Sequence, residues 1–158
     1  MSATPPAAGA PVPLSGEEEA VIRAFSRVMQ AMPRALHAAL EREQRMSLSE
    51  YTVLRMLSER PDRRLRMSEL AAACDMSLSG MTRLVGKLES AGLLVRVPCE
   101  NDARGANAVL TDAGLARLQQ AWPTHLASVR RHVMDHLSDV DLGQLTKALE
   151  AMAATDQP

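Results

Sequence analysis

The sequence is poor in aromatic side chains, with one Phe, one Tyr and one Trp in 158 residues. Phe25, Tyr51 and Trp122 are too few to predict an aromatic cage for a ligand. Cysteine is equally scarce. Cys74 and Cys99 form no CxxC pair, which offers no disulfide framework and fits a reducing compartment. No apolar run approaches the roughly 18 residues that a membrane-spanning helix needs, and no basic stretch precedes an apolar core near the start. Neither a span nor a signal peptide is expected, and the location reads as cytoplasmic. Gly-rich phosphate loops, GxSxG and HExxH are also missing, and the acidic residues gather at helix starts, where capping explains them. The sequence therefore predicts neither an enzyme nor a bound cofactor.

Net charge is small as well, at −1. Its distribution is more informative than its sum. From Arg63 to Arg104 there are seven Lys/Arg against five Asp/Glu, whereas residues 1–62 carry seven against eight and residues 105–158 four against six. The basic surplus coincides with the most structured pattern in the chain, Met67 to Thr111. Ser68 reads as the N-cap of a short helix over Glu69–Ala73, Cys74-Asp75-Met76 interrupts it, and Ser77 opens a second helix reaching Ser90. Leu78, Met81, Leu84, Val85 and Leu88 recur at spacings of three and four on that helix, leaving Ser79, Thr82, Arg83, Gly86 and Lys87 on the other side. Two strands, Leu93–Val97 and Asn107–Thr111, follow around a loop from Pro98 to Ala106.

Helix, turn, helix and hairpin in this order form a winged helix-turn-helix pattern, and a helix of this kind fits the DNA major groove, where each base pair shows a distinct set of contacts. Ser77, Ser79, Gly80 and Thr82 would allow close approach to phosphates and bases, with Arg83 and Lys87 projecting toward the polyanion. Arg104 on the hairpin would reach the neighbouring minor groove or its phosphates. The competing reading, a winged helix used for protein contact without DNA, predicts an uncharged outer face. Arg83 and Lys87 oppose it.

The same stretch resembles the multiple antibiotic resistance regulator (MarR) family. Ser77-Leu78-Ser79-Gly80-Met81-Thr82-Arg83-Leu84-Val85, then Leu88-Glu89, Gly92-Leu93 and Arg96, look like its recognition helix and first wing strand. Asn101-Asp102-Ala103-Arg104, then Val109-Leu110-Thr111 and Gly114, look like its Asp-x-Arg wing and the helix start behind it. The resemblance spans about residues 15–152 and implies that Arg104 enters the minor groove while Asp102 stabilises the wing. Gly105 stands where another basic residue is common.

The flanks supply long amphipathic helices. Residues 1–14 hold four prolines and no charge and are expected to be a disordered arm. Ser15 with Glu18 forms a capping-box signal opening an N-terminal helix over residues 15–46, with a kink or break expected at Pro33. Ser47 with Glu50 opens the next, within a DNA-binding region over residues 47–111. Thr111 is placed to cap a long helix with a bend at Pro123, and Ser138 a last one, so that residues 112–154 hold the C-terminal helices. A winged unit of this size has no need of these stripes for its own core, so a second copy is the simplest partner. The predicted architecture is mainly α: a winged helix-turn-helix carried on a helical dimerisation domain built from N- and C-terminal helices. The predicted function is a dimeric regulator, released by a small-molecule effector, that represses from a pseudo-palindromic double-stranded DNA operator.

The resemblance implies an effector pocket near the first two helices without assigning its residues. Ten methionines could line an adaptable apolar pocket, although a Met on an apolar stripe is most often core. Two alternative switches compete with a small-molecule effector. His132 and His136, four apart with His125, Asp135 and Asp139 near, have the spacing of a zinc-chelating pair but lack clear further ligands. Oxidation of Cys99 or Cys74 is disfavoured at Cys99 by the neighbouring Glu100 and Asp102.

Overall fold

The structure, a computed structural model, describes residues 12–99 and 102–154, with the backbone alone at 102–104. Most of the expected N-terminal arm, residues 1–11, lies outside the described residues. The chain forms α1 (Gly16–Gln44), α2 (Leu48–Ser58), β1 (Arg64–Arg66), α3 (Met67–Ala73), α4 (Leu78–Ser90), β2 (Leu94–Cys99), β3 (Asp102–Leu110), α5 (Asp112–His132), a 3-10 turn (Met134–His136) and α6 (Leu142–Ala154). This is the mainly helical winged helix-turn-helix that the pattern predicts.

Local capping chemistry sets most helix starts. Ser15 Oγ accepts from Glu18 N at 3.2 Å while Glu18 Oε2 accepts from Ser15 N at 2.7 Å, and Ser47 and Glu50 repeat the exchange at 3.1 and 2.7 Å. Ser77 caps α4 through Gly80 N, and Thr111 caps α5 through Gly114 N. Two starts differ from expectation. The helix α3 begins at Met67, with Arg66 rather than Ser68 at its N-cap, and Asp141 rather than Ser138 caps α6, its Oδ1 accepting from Gln144 N at 3.0 Å. Ser138 is instead taken up in a turn closed by Val140 N donating to Leu137 O at 3.2 Å, so α6 starts later.

Neither internal proline breaks its helix. Pro33 lies in an exposed stretch of α1, so the carbonyl that loses a donor there can be hydrated, and α1 runs unbroken for 29 residues. Pro123 likewise sits inside an uninterrupted α5. The hairpin also departs from expectation: residues placed in a loop from Pro98 to Ala106 are largely strand, with β2 reaching Cys99 and β3 starting at Asp102. Strand order β1-β3-β2 puts β2 at an edge, where Pro98 can lack a donor without leaving a neighbour unpaired.

The core gathers around the helix-turn-helix. Leu40, Tyr51, Leu54, Leu57, Leu70, Met81, Val85, Leu88 and Leu94 are buried together, joined by Leu118 and Ala121 from α5. The sharp exit from α4 depends on Gly92, whose φ of +71° allows Leu93 N to donate to Leu88 O at 3.0 Å and Gly92 N to Glu89 O at 2.9 Å. The start of α5 then packs directly on this turn. Thr111 Oγ1 donates to Gly92 O at 2.8 Å, and a Cβ on Gly114 would sit 1.9 Å from Leu93 O.

A second link crosses from α2 to α4. Glu50 is buried, and its Oε1 meets Lys87 Nζ at 2.7 Å while Oε2 stays on Ser47 N. Burial pushes the Glu50 carboxyl up, but the Lys87 hydrogen bond and those at Ser47 outweigh it and hold the group below its ordinary 4.5. Lys87 is raised above its ordinary 10.5, mainly by the hydrogen bond to Glu50. The lowered carboxyl contributes stability that is present above 4.5 and lost as pH falls through its folded value, and the raised ammonium contributes stability that is present below 10.5 and lost as pH rises beyond it.

Two stability tests follow from these contacts, both read by urea unfolding. Gly114→Ala is expected to lose about 1–3 kcal/mol because the backbone of the α4–β2 turn must move. Gly86→Ala, where an added Cβ meets nothing within 4 Å, is expected to gain about 0.5–1 kcal/mol from helix propensity; a neutral Gly114→Ala would show that the turn yields. Glu50→Gln keeps a capping side chain but loses the ion pair, at an expected cost of about 1 kcal/mol at neutral pH, a figure held low because Lys87 is largely exposed. That cost is expected to fade as pH drops below the carboxylate range. A pH-independent difference would contradict the assigned role of the charge.

Candidate nucleic-acid interface

The surface with the most concentrated arrangement of expected contact residues is the outer side of α4. Met81, Val85 and Leu88 turn inward and are buried, so Ser79, Thr82, Arg83 and Lys87 are left exposed on the opposite side at helical spacing. Each side chain has a distinct local role. The Ser77 hydroxyl is used at the cap and also lies 3.3 Å from Ser79 Oγ, and Thr82 Oγ1 donates to Leu78 O at 2.8 Å. Gly80 is close-packed against the cap, where a Cβ would stand 3.1 Å from Ser77 Oγ.

The two basic residues of α4 differ in their commitments. Arg83 is exposed and makes no ion pair with any described residue, so its guanidinium remains available to an incoming anion. Lys87 is already held by Glu50. Leu78 has the spacing of the core stripe but is 54% exposed, because it occupies the first turn of α4, where the helix projects past the core. It adds an apolar contact to the outer face that the periodicity assigns inward.

The wing is clipped to this helix by one bidentate pair. Glu89 near the end of α4 accepts from Arg96 N at 3.0 Å and Arg96 Nε at 2.8 Å, with Arg96 Nη2 at 2.6 Å. The Arg96 hydrogen bonds hold the Glu89 carboxyl below its usual range. Glu89 and Arg96 thus fix where the hairpin leaves the helix, a supporting role that periodicity alone does not reveal. The backbones of Asp102 and Arg104 belong to β3 on the wing, and their side chains lie outside the described residues.

The histidine pair is not assembled as its spacing suggests. The helix α5 ends at His132, and Val133, with φ −132°, turns the chain before the 3-10 turn that holds His136, so the two do not share a helical turn. Among the described residues no three His, Cys, Asp or Glu side chains cluster as a metal site. Both cysteines are free, and burial pushes the Cys74 thiol above its ordinary value, which reduces its thiolate fraction.

A separate cavity of about 510 Å³ lies where α1, α2 and α5 meet. Met32, Pro33 and Leu36 come from α1, Leu48 and Tyr51 from α2, and Trp122 and His125 from α5. Two of the three aromatic side chains therefore converge here with a histidine, which composition alone does not reveal. Tyr51 and His125 stack with ring centroids 4.3 Å apart and 25° between planes, and Trp122 lies 6.1 Å from the His125 ring. Of the methionines, Met32 lines this space.

Comparison with known proteins agrees with this geometry. Residues 46–105, which include the helix-turn-helix and most of the hairpin, match the MarR family. The chain is 31% identical over 118 residues to the HTH-type transcriptional regulator PecS of Dickeya dadantii, covering 74% of this chain and 70% of that protein. It is 30% identical over 104 residues to the HTH-type transcriptional repressor YetL of Bacillus subtilis, covering 66% and 62%. Among solved structures it is similar to Sco3205, a MarR family transcriptional regulator from Streptomyces coelicolor in complex with DNA, with a TM-score of 0.84, 34% identity and coverage of 94% and 93%. The chain belongs to the MarR family of DNA-binding transcriptional regulators.

Proposed function

We propose that the protein is a homodimeric, ligand-responsive repressor that binds a pseudo-palindromic operator through α4 and the wing of each protomer. The observation that carries this reading is the outer face of α4, where Arg83 stands free beside Ser79 and Thr82 while the opposite face is locked into the core. In this reading Arg83 contacts bases, Ser77, Ser79, Gly80 and Thr82 approach the backbone, and Lys87 approaches a phosphate in competition with Glu50. Arg104 enters the minor groove and Asp102 steadies the wing. YetL is named a repressor, and Sco3205 was solved on DNA, which supports the assignment of output and target.

Dimerisation is supported by apolar surface that a single copy leaves uncovered. Val21, Ile22, Phe25, Val28 and Met29 are exposed along the first half of α1, and α6 buries none of its residues despite Leu142, Leu149 and Met152. Helices over residues 15–46 and 112–154 would cover one another's stripes across a two-fold axis, with residues 47–111 as the reading unit. A repeated reader doubles the phosphate contacts that a modest basic surplus can make. The cavity between α1, α2 and α5 joins the two parts and is the natural effector site, since a ligand there can alter how the reading unit sits on the dimerisation helices. Among the described residues no helix is long and apolar enough to cross a membrane.

Selection of bound duplexes from a random library, followed by salt titration of the selected site, tests the assignment. Arg83→Ala is expected to lose about 1–3 kcal/mol of operator binding and to relax preference at one base position in each half-site. Arg104→Ala is expected to weaken all sequences and to reduce the salt slope by roughly one for each phosphate that is no longer neutralised. Unchanged affinity in both variants would contradict the residue roles. No enriched sequence at all would favour a protein-contact module.

A further inference from the structure

We propose that Glu50 is a specificity-determining residue of the DNA reader, because it releases Lys87 only to a phosphate that the other contacts of α4 have already fixed in place. The inference rests on reading α4 as the DNA-contacting helix.

Basic residues near the reading face carry their own carboxylates. Lys87 Nζ lies 2.7 Å from Glu50 Oε1, and Arg96 at the base of the wing lies 2.6 Å from Glu89. Arg83, in contrast, makes no ion pair with any described residue. The outer side of α4 therefore presents one uncompensated charge to DNA and holds a second in reserve.

The two ends of the Lys87 pair differ in their access to solvent. The Lys87 side chain is 71% exposed and that of Glu50 only 8%. An incoming phosphate can thus reach the ammonium without reaching the carboxylate. Ser47 N donates to Glu50 Oε2 at 2.7 Å and Lys87 serves Oε1, so both oxygens are occupied. Burial pushes this carboxyl up, but the hydrogen bonds from Lys87 and Ser47 hold it below its ordinary value, and it stays charged at neutral pH. Withdrawing Lys87 strands one oxygen of a buried charge, which is costly.

That cost separates two kinds of DNA contact. A phosphate met in passing offers a screened surface attraction, and an ammonium whose charge is already cancelled displaces no condensed cation from the duplex. Such a phosphate leaves the pair intact. On the operator, Ser79, Thr82 and Arg83 set the register of α4, so one phosphate is held against Lys87 for the lifetime of the complex. The exchange from carboxylate to phosphate then needs no further ordering, and the operator gains a contact that unrelated DNA lacks.

Salt titration of the full chain on the selected operator and on an unrelated duplex of equal length tests this assignment. With Glu50→Gln, affinity for the unrelated duplex is expected to rise roughly fivefold to tenfold at about 0.1 M salt and its salt slope to steepen by about 0.9, while the slope on the operator stays as in the wild type. Adding Lys87→Gln to that variant is expected to cancel the gain. Equal steepening on both duplexes, or no change on the unrelated one, would overturn the inference. A second measurement needs no substitution, because Lys87 and Lys147 are the two lysines of the chain. In ammonium NMR of lysine-labelled wild type, the Lys87 signal is expected to move on the operator and to hold its position on the unrelated duplex; movement on both would contradict a conditional release. Wild-type protein without salt-dependent binding to any duplex would instead remove the DNA-reading role of α4, and the inference with it.

Discussion

The buried carboxylate of Glu50 links the start of α2 to α4 on the outer surface. It closes the first turn of α2 through Ser47 and holds Lys87 on α4, and its neighbour Tyr51 forms a wall of the α1–α2–α5 cavity. A charge buried in this way is tolerated because both oxygens are occupied, one by a backbone donor and one by an ammonium. The consequence is geometric. Movement of α2 at the cavity and movement of α4 at the outer surface are tied through one side chain, so the two cannot shift independently without breaking an ion pair.

The wing depends on a similar arrangement at the other end of α4. Glu89 receives Arg96 from β2, Gly92 turns the chain, and Gly114 lets α5 press onto that turn. Recognition helix, wing and the start of α5 are thereby fixed to one another by contacts within about 25 residues of sequence, which favours a reading unit that moves as one body. Flexibility is then expected at its junctions with α1 and the end of α5, where the exposed apolar stripes call for a second copy.

Much of this is legible in the sequence wherever the physics is local. Ser15, Ser47, Ser77 and Thr111 act as caps because each is followed three residues on by a donor in reach, and the Met81, Val85 and Leu88 stripe is buried as its spacing requires. The misses are tertiary. Leu78 has the right period for the core but sits on a turn that projects beyond it, and the hairpin strands extend through Pro98 because the edge position of β2 removes the penalty. Asp141 displaces Ser138 as a cap because Ser138 lies in a turn closed by Val140 N donating to Leu137 O at 3.2 Å. Composition could not show that Tyr51, Trp122 and His125 converge, and spacing could not show that α5 ends between His132 and His136.

Two copies of this reader facing DNA across a two-fold axis would leave a paired hydroxyl-radical footprint on the selected operator. The expected pattern is symmetric, with two protected patches about one helical turn apart, roughly 34–36 Å, or somewhat more. Phe25→Asp, placed on the exposed stripe of α1, is expected to abolish the pairing at protein concentrations that saturate the wild type. A single asymmetric patch, unchanged by that substitution, would contradict a dimeric reader.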